Sequence, residues 1–173
     1  SLVGSSGNNS YNSIGYLKAS AKGDRIAAAH WYGLNRVEVF DFDNTTGQLS
    51  NTIVLTSFTG SGCYGVEFAP SEPILYVTER TSNGYLYQYN LLSDDATTIN
   101  NSRIILDSCI TSSSDTCSWG ALQLGPDGRM YVSKKNSAYL AVINNPDILG
   151  FGCDYVDDAV YLGGRVSWIG LPS

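Results

Sequence analysis

The chain has 173 residues, 43% hydrophobic and 15% charged, with a net charge of −6 and no Lys/Arg cluster. This is enough for one domain with a sizeable core, and it argues against nucleic acid or an anionic membrane surface as a partner. No apolar run approaches the ~20 residues that span a bilayer.

Residues 1–13, rich in Gly, Ser and Asn, read as an irregular arm or the outer strand of a preceding unit. Strands are then predicted over Gly15–Ala19, Arg25–Ala29, Arg36–Phe42 and Gln48–Leu55, with Asp43-Asn-Thr-Thr-Gly47 as the last turn. A second set follows at Gly65–Phe68, Ile74–Glu79, Tyr85–Asn90 and Arg103–Leu106, with Asn83-Gly84 as a turn signal before its third strand. A third set takes Ala121–Leu124, Met130–Ser133, Tyr139–Ile143 and, as outer strand, Ala159–Leu162. No stretch has a sustained helical period, and Asn145–Leu149 is expected to make one turn at most. Twelve Tyr and 18 Gly agree with short strands and frequent turns.

These sets are copies of one phrase. Leu17-Lys-Ala-Ser-Ala-Lys-Gly-Asp-Arg-Ile-Ala-Ala-Ala29 returns as Val66-Glu-Phe-Ala-Pro-Ser-Glu-Pro-Ile-Leu-Tyr-Val-Thr78 and as Leu122-Gln-Leu-Gly-Pro-Asp-Gly-Arg-Met-Tyr-Val-Ser133. A strand repeat of roughly 50 residues is the mark of a β-propeller blade. The expected fold is therefore all-β, with blades at residues 14–62, 63–118 and 119–173. Closed propellers have about four to eight blades, and a bare end blade exposes an apolar sheet. The remaining blades of a larger, seven-bladed ring are thus expected from the same or another chain. The sequence begins at Ser1 without a signal-peptide pattern, consistent with a processed product or a piece of something longer.

Low charge, abundant Asn, Ser, Thr, Gly and Tyr, and four cysteines point to a secreted protein. Cys109 and Cys117 flank a polar loop, where a loop-closing disulfide is expected; Cys63 and Cys153 then pair or stay free, and four buried thiols is the alternative. No Cys-x-x-Cys pair occurs and His30 is the only histidine, so no metal or other cofactor is expected.

Several phrases form an ordered series: Ile14-Gly-Tyr-Leu-Lys-Ala-Ser20, Val37-Glu-Val-Phe-Asp-Phe-Asp43, Tyr64-Gly-Val-Glu-Phe-Ala-Pro70, Leu86-Tyr-Gln-Tyr89, Leu122-Gln-Leu-Gly-Pro-Asp-Gly128, Val142-Ile-Asn-Asn-Pro146, Leu162-Gly-Gly-Arg165 and Gly170-Leu-Pro172. The series resembles the lactonase-like (YVTN-type) propeller region of large secreted Bacteroidetes proteins. Those proteins often end in a gliding-motility-associated, type IX secretion sorting domain. The resemblance implies a secreted or surface-exposed protein on a bacterial cell, with this stretch as the last blades of a ring. It adds location more than chemistry.

Lys18, Glu67 and Gln123 occupy one position in the three copies, each flanked by apolar residues. Alternation turns the polar group to the opposite sheet face from its neighbours, so the three are expected to ring the propeller axis, with Tyr64 and Trp119 near one mouth. That arrangement suits a small-ligand or glycan site, but a structural polar network between blades is the favoured expectation. Asp41-Phe-Asp-Asn-Thr-Thr-Gly47 alternates oxygens as a calcium loop does, but Thr52 stands where an EF-hand needs Glu, and a hairpin is the expectation. Asp154, Asp157 and Asp158 read as a solvated acidic loop. His30-Trp31-Tyr32 reads as a loop, packed or ligand-facing. There is no Gly-x-Ser-x-Gly elbow or phosphate loop. A non-catalytic surface module contacting protein or glycan is the leading expectation. A lactonase-like hydrolase with Glu67 as base and Lys18 as charge stabiliser, or a glycan-binding lectin, are the alternatives.

Overall fold

A computed structural model of the chain describes residues 14–56, 58, 62–80, 83–110 and 118–171. Among them lie three separate four-stranded antiparallel sheets, each a simple meander. The first contains β1 (Leu17–Ala19), β2 (Arg25–His30), β3 (Arg36–Asp43) and β4 (Gln48–Leu55). The second contains β5 (Cys63–Phe68), β6 (Ile74–Glu79), β7 (Asn83–Asn90) and β8 (Ile104–Ile110). The third contains β9 (Trp119–Leu124), β10 (Met130–Lys134), β11 (Tyr139–Ile143) and β12 (Tyr155–Tyr161). The expected β-propeller architecture is thus present as three successive blades. Among the described residues no helix is long and apolar enough to cross a membrane.

Two apolar seams hold the sheets together. Ala27, Val37, Val39 and Leu55 of the first sheet pack against Val66, Val77, Tyr87 and Tyr89 of the second. On its other face the second sheet sets Tyr76, Leu86 and Leu106 against Leu122, Met130, Val132 and Ala141 of the third. A sheet covered on both faces loses the polar alternation of a half-buried one, which is why Ile74–Glu79 is buried at every position. The second seam also carries polar ties. The Tyr76 hydroxyl donates to the Pro146 carbonyl at 2.8 Å, Gln88 Nε2 donates to the Ile148 carbonyl at 2.9 Å, and Asp147 Oδ1 accepts from the Ser71 and Glu72 amides at 2.9 and 3.0 Å.

The outer flanks differ. Leu17 is 67% exposed, whereas Val66 and Leu122, its counterparts in the other copies, are fully buried. At the far end, residues beyond β12 return to the third sheet. The Ala121 amide donates to the Ile169 carbonyl at 2.7 Å, as the Tyr16 amide does to Tyr64 at 2.9 Å. The Ser133 hydroxyl donates to the same Ile169 carbonyl at 3.1 Å, as the Thr78 hydroxyl does to Gly120 at 2.6 Å. Ile169 therefore stands where Tyr64 and Gly120 stand, at the opening of an inner strand.

The segment between β3 and β4 forms the expected hairpin turn. Asp43 Oδ1 accepts from the Thr45 amide at 2.9 Å, its Oδ2 accepts from the Thr46 hydroxyl at 2.7 Å, and Gly47 takes φ 74°. The turn before β10 is built similarly. Asp127 accepts from the Tyr131 hydroxyl at 2.8 Å and Arg129 Nε at 2.7 Å, and these bonds lower its carboxyl from 3.8 to about 2. A depressed carboxyl supports the turn above its unfolded pKa and loses that support as pH falls through the folded one. An NMR pH titration is expected to place Asp127 below the other surface aspartates.

Several predicted features shift. A helix, α1 (Ala96–Asn101), precedes β8; Asp95 caps it by accepting from the Thr98 amide at 2.7 Å. It buries Ile99 in the first seam, and Asn100 Nδ2 donates to the Val54 carbonyl of β4 at 3.0 Å. One turn and a half is too short to show a helical period. Asn145–Leu149 makes the one expected turn, closed by the Ile148 amide donating to the Asn145 carbonyl at 3.0 Å, and a short 3-10 helix follows at Gly150–Cys153. Asn83 and Gly84 begin β7, paired with Ile110 and Cys109, and are not a turn. The outer strand of the third sheet is Tyr155–Tyr161, so Asp157 and Asp158 are strand residues and not a solvated loop. Both pair with Lys134, Asp158 at 2.6 Å; an edge strand tolerates such charge. Cys63 and Cys153 are free thiols buried in different seams. The arm over residues 1–13 lies outside the described residues, as does Cys117 of the expected Cys109–Cys117 bridge.

Candidate functional site

The inner strands β1, β5 and β9 bring Lys18, Glu67 and Gln123 together, although 49 and 105 residues separate Lys18 from the other two. Lys18 Nζ donates to Glu67 Oε2 at 2.7 Å and to Gln123 Oε1 at 2.8 Å. Glu67 Oε2 also accepts from the Leu124 amide at 3.2 Å, and Oε1 accepts from the Phe68 amide at 3.2 Å. Lys18 is 18% and Glu67 8% exposed at the side chain. The carboxylate thus has three donors, one of them a cation, which is how a nearly buried charge is compensated.

The strand starts form one rim of this axis. Tyr64 sits half-buried there, its ring meeting Tyr16 edge-on at 5.5 Å, and Lys18 Nζ lies 5.8 Å from the Tyr16 ring. Burial pushes the Tyr64 hydroxyl pKa up, Tyr16 adds to this, and Arg80 opposes it. Trp119 does not join the rim. It is 3% exposed in the second seam, with Tyr155 edge-on at 6.1 Å and the Lys134 ammonium 5.8 Å from its ring. Outside it opens a cleft of about 390 Å³ lined by Asp107, Ser118, Lys134, Lys135, Asp157 and Asp158. Burial lowers the Lys134 pKa, but Asp157 and Asp158 outweigh it and hold the ammonium above its ordinary value.

His30 Nε2 lies 3.3 Å from Glu38 Oε2, and Arg36 holds Glu38 Oε1 at 3.0 Å, so this histidine belongs to an ionic cluster on β2 and β3. No group of three or more His, Cys, Asp or Glu able to hold a metal ion occurs among the described residues.

One rim residue escaped the sequence reading. Arg80 follows β6 as Trp31 follows β2 and Lys135 follows β10. Its guanidinium carbon lies 4.8 Å from the Trp31 ring centre and 6.0 Å from that of Tyr64. Its Nε donates to the Ser118 hydroxyl at 3.0 Å. The signal was the shared position after each second strand, masked because the three residue types differ.

No family model and no curated protein matches the chain. Among solved structures, a protein from Lactobacillus plantarum is 26% identical at TM-score 0.48, covering 75% of this chain and 36% of that one. The Cps50 (Swd1) β-propeller domain of Myceliophteria thermophila is 16% identical at TM-score 0.44, covering 73% and 38%. The periplasmic gluconolactonase PpgL of Pseudomonas aeruginosa is 16% identical at TM-score 0.50, again covering 75% and 36%. The chain therefore spans little more than a third of the length of these structures. With its three fanned meanders, the likeness to PpgL shows the fold: three successive blades of a β-propeller.

Proposed function

We propose that the chain is part of a non-catalytic propeller module that engages a protein or glycan partner at a bacterial cell surface, within a larger type IX-secreted protein. The observation that carries the reading is the committed state of the axial carboxylate. Glu67 accepts from Lys18 and two backbone amides, so it serves as a tie between blades. The 67% exposure of Leu17 and the strand-opening position of Ile169 support further blades, from this or another chain, at both flanks. The secreted location rests on the resemblance read from the ordered phrases ending in Leu162-Gly-Gly-Arg165. As a tie, the pair has a thermodynamic signature. Lys18→Met strands Glu67 without its counter-charge and lowers stability by about 1–3 kcal/mol in urea unfolding; the partial exposure of Lys18 keeps this below the cost of a fully buried pair. No loss of stability removes the structural role.

The likeness of fold to a gluconolactonase favours a second reading, a lactonase-like hydrolase with Glu67 as general base. Lactone turnover by the wild type that disappears in Glu67→Gln establishes it. Binding without turnover sustains the first reading. In a glycan-binding version Tyr64 at the rim presents its ring to a sugar, while Trp119 stays in the seam.

A further inference from the structure

We infer that Arg80, set between Trp31 and Tyr64, is a carboxylate-binding site for an acidic segment of a protein partner; this deepens, and rests on, the reading of the chain as an interaction module. Among the described residues Arg80 forms no ion pair, whereas three other arginines do. Arg25 pairs with Asp41 and Asp94, Arg36 with Glu38, and Arg129 with Asp127. Arg80 has no carboxylate within 4.0 Å among the described residues, in a chain with 16 acidic against 10 basic side chains.

The side chain is nonetheless fixed. Its amide donates to the Gly62 carbonyl at 2.7 Å, its Nε to Ser118 at 3.0 Å, and its flat face lies on Trp31. Trp31 is seated in turn on Gly62, where a Cβ would fall 1.5 Å from Trp31 Cδ1. Holding Nε and the guanidinium plane leaves the two terminal nitrogens as a preorganised fork, the geometry that grips a carboxylate through two parallel hydrogen bonds. Aromatic stacking loses less rotamer freedom on binding, and Trp, Tyr and Arg together are the residues that dominate protein interfaces.

The neighbouring sheet repeats the arrangement. Lys135, at the same position, lies 5.0 Å from the ring centre of Trp168. Two cations, each laid on an indole, thus follow one another along the same rim in successive sheets. Rim cations in successive sheets suit an extended segment with several carboxylates better than a single small anion.

The test titrates the 173-residue chain with an acetylated, amidated hexapeptide alternating Glu and Gly, and with its Gln counterpart. Indole fluorescence and calorimetry are the readouts, at low salt and at about 0.15 M. The wild type is expected to bind the Glu peptide about ten-fold more tightly than the Gln peptide. Arg80→Gln is expected to abolish that preference, with Arg80→Lys retaining only part of it through loss of the fork. No preference in the wild type, or the same preference in Arg80→Gln, overturns the proposal. If Arg80→Gln does not fold, Arg80→Lys decides: a preference unchanged from wild type overturns it. D-glucuronate is the competing arm, and binding as tight as the Glu peptide's also overturns the assignment to a protein segment. Lactone turnover is measured on the same samples. Turnover sinks the interaction-module reading, whereas absent turnover with absent Arg80-dependent preference sinks this inference alone.

Discussion

Trp119→Ala is expected to lower the unfolding free energy by about 3–5 kcal/mol, the range for removing a large aromatic from a packed core. The indole is 3% exposed, flanked by Tyr155 and the ammonium of Lys134, in the seam that joins the second and third blades. Removing it leaves a void that Leu122 and Val132, both fully buried, have little freedom to fill. Urea unfolding followed by tyrosine fluorescence and far-UV dichroism measures the loss. A change below about 1 kcal/mol would return Trp119 to the surface as an aromatic platform, and with it the reading in which this ring holds a sugar.

Gly65→Ala is expected to destabilise by about 1–3 kcal/mol or more through overpacking. A Cβ at Gly65 would fall 2.6 Å from the Gly120 carbonyl oxygen, 2.7 Å from Thr78 Oγ1 and 3.2 Å from the Leu122 amide nitrogen. Two of these three neighbours are backbone of the next inner strand, so relief requires the second and third blades to move apart. The same hydroxyl donates to Gly120 at 2.6 Å and accepts from the Gly65 amide at 2.8 Å, so it has nowhere to turn. Differential scanning calorimetry should show a lower Tm for Gly65→Ala but little change for Gly170→Ala. A Cβ at Gly170 meets the Tyr16 hydroxyl at an ordinary 3.7 Å, and its backbone is not left-handed. Equal effects at the two sites would mean that close approach of the inner strands is not what Gly65 provides.

Much of the fold was legible because the repeat shows itself three times. Each inner strand places one polar residue between apolar neighbours, and a period of two converts that into a face; Lys18, Glu67 and Gln123 accordingly meet. What stayed hidden depended on neighbours. Tyr64 and Trp119 both precede a glycine, yet one is at the rim and the other in a seam, because the packing of adjacent sheets decides and no local pattern records it. Asp157-Asp158 resembled a loop, since a charged pair is a poor strand former until Lys134 supplies the opposite charge across the edge. Helix α1 was hidden by its length, although Asp95, a favoured N-cap residue, stood just before it. Arg80 escaped because the position shared with Trp31 and Lys135 is filled by three unlike residues.

Cys63 and Cys153, the free thiols among the described residues, give the molecule a built-in gauge. Cys63 lies wholly inside the first seam and Cys153 wholly inside the second, and burial raises both thiol pKa values, Cys63 well above 9.0. A thiolate-seeking reagent therefore modifies each only when its own junction breathes. Peptide mapping of the labelled sites separates one junction's opening rate from the other's, and shows which joint of the fan parts first.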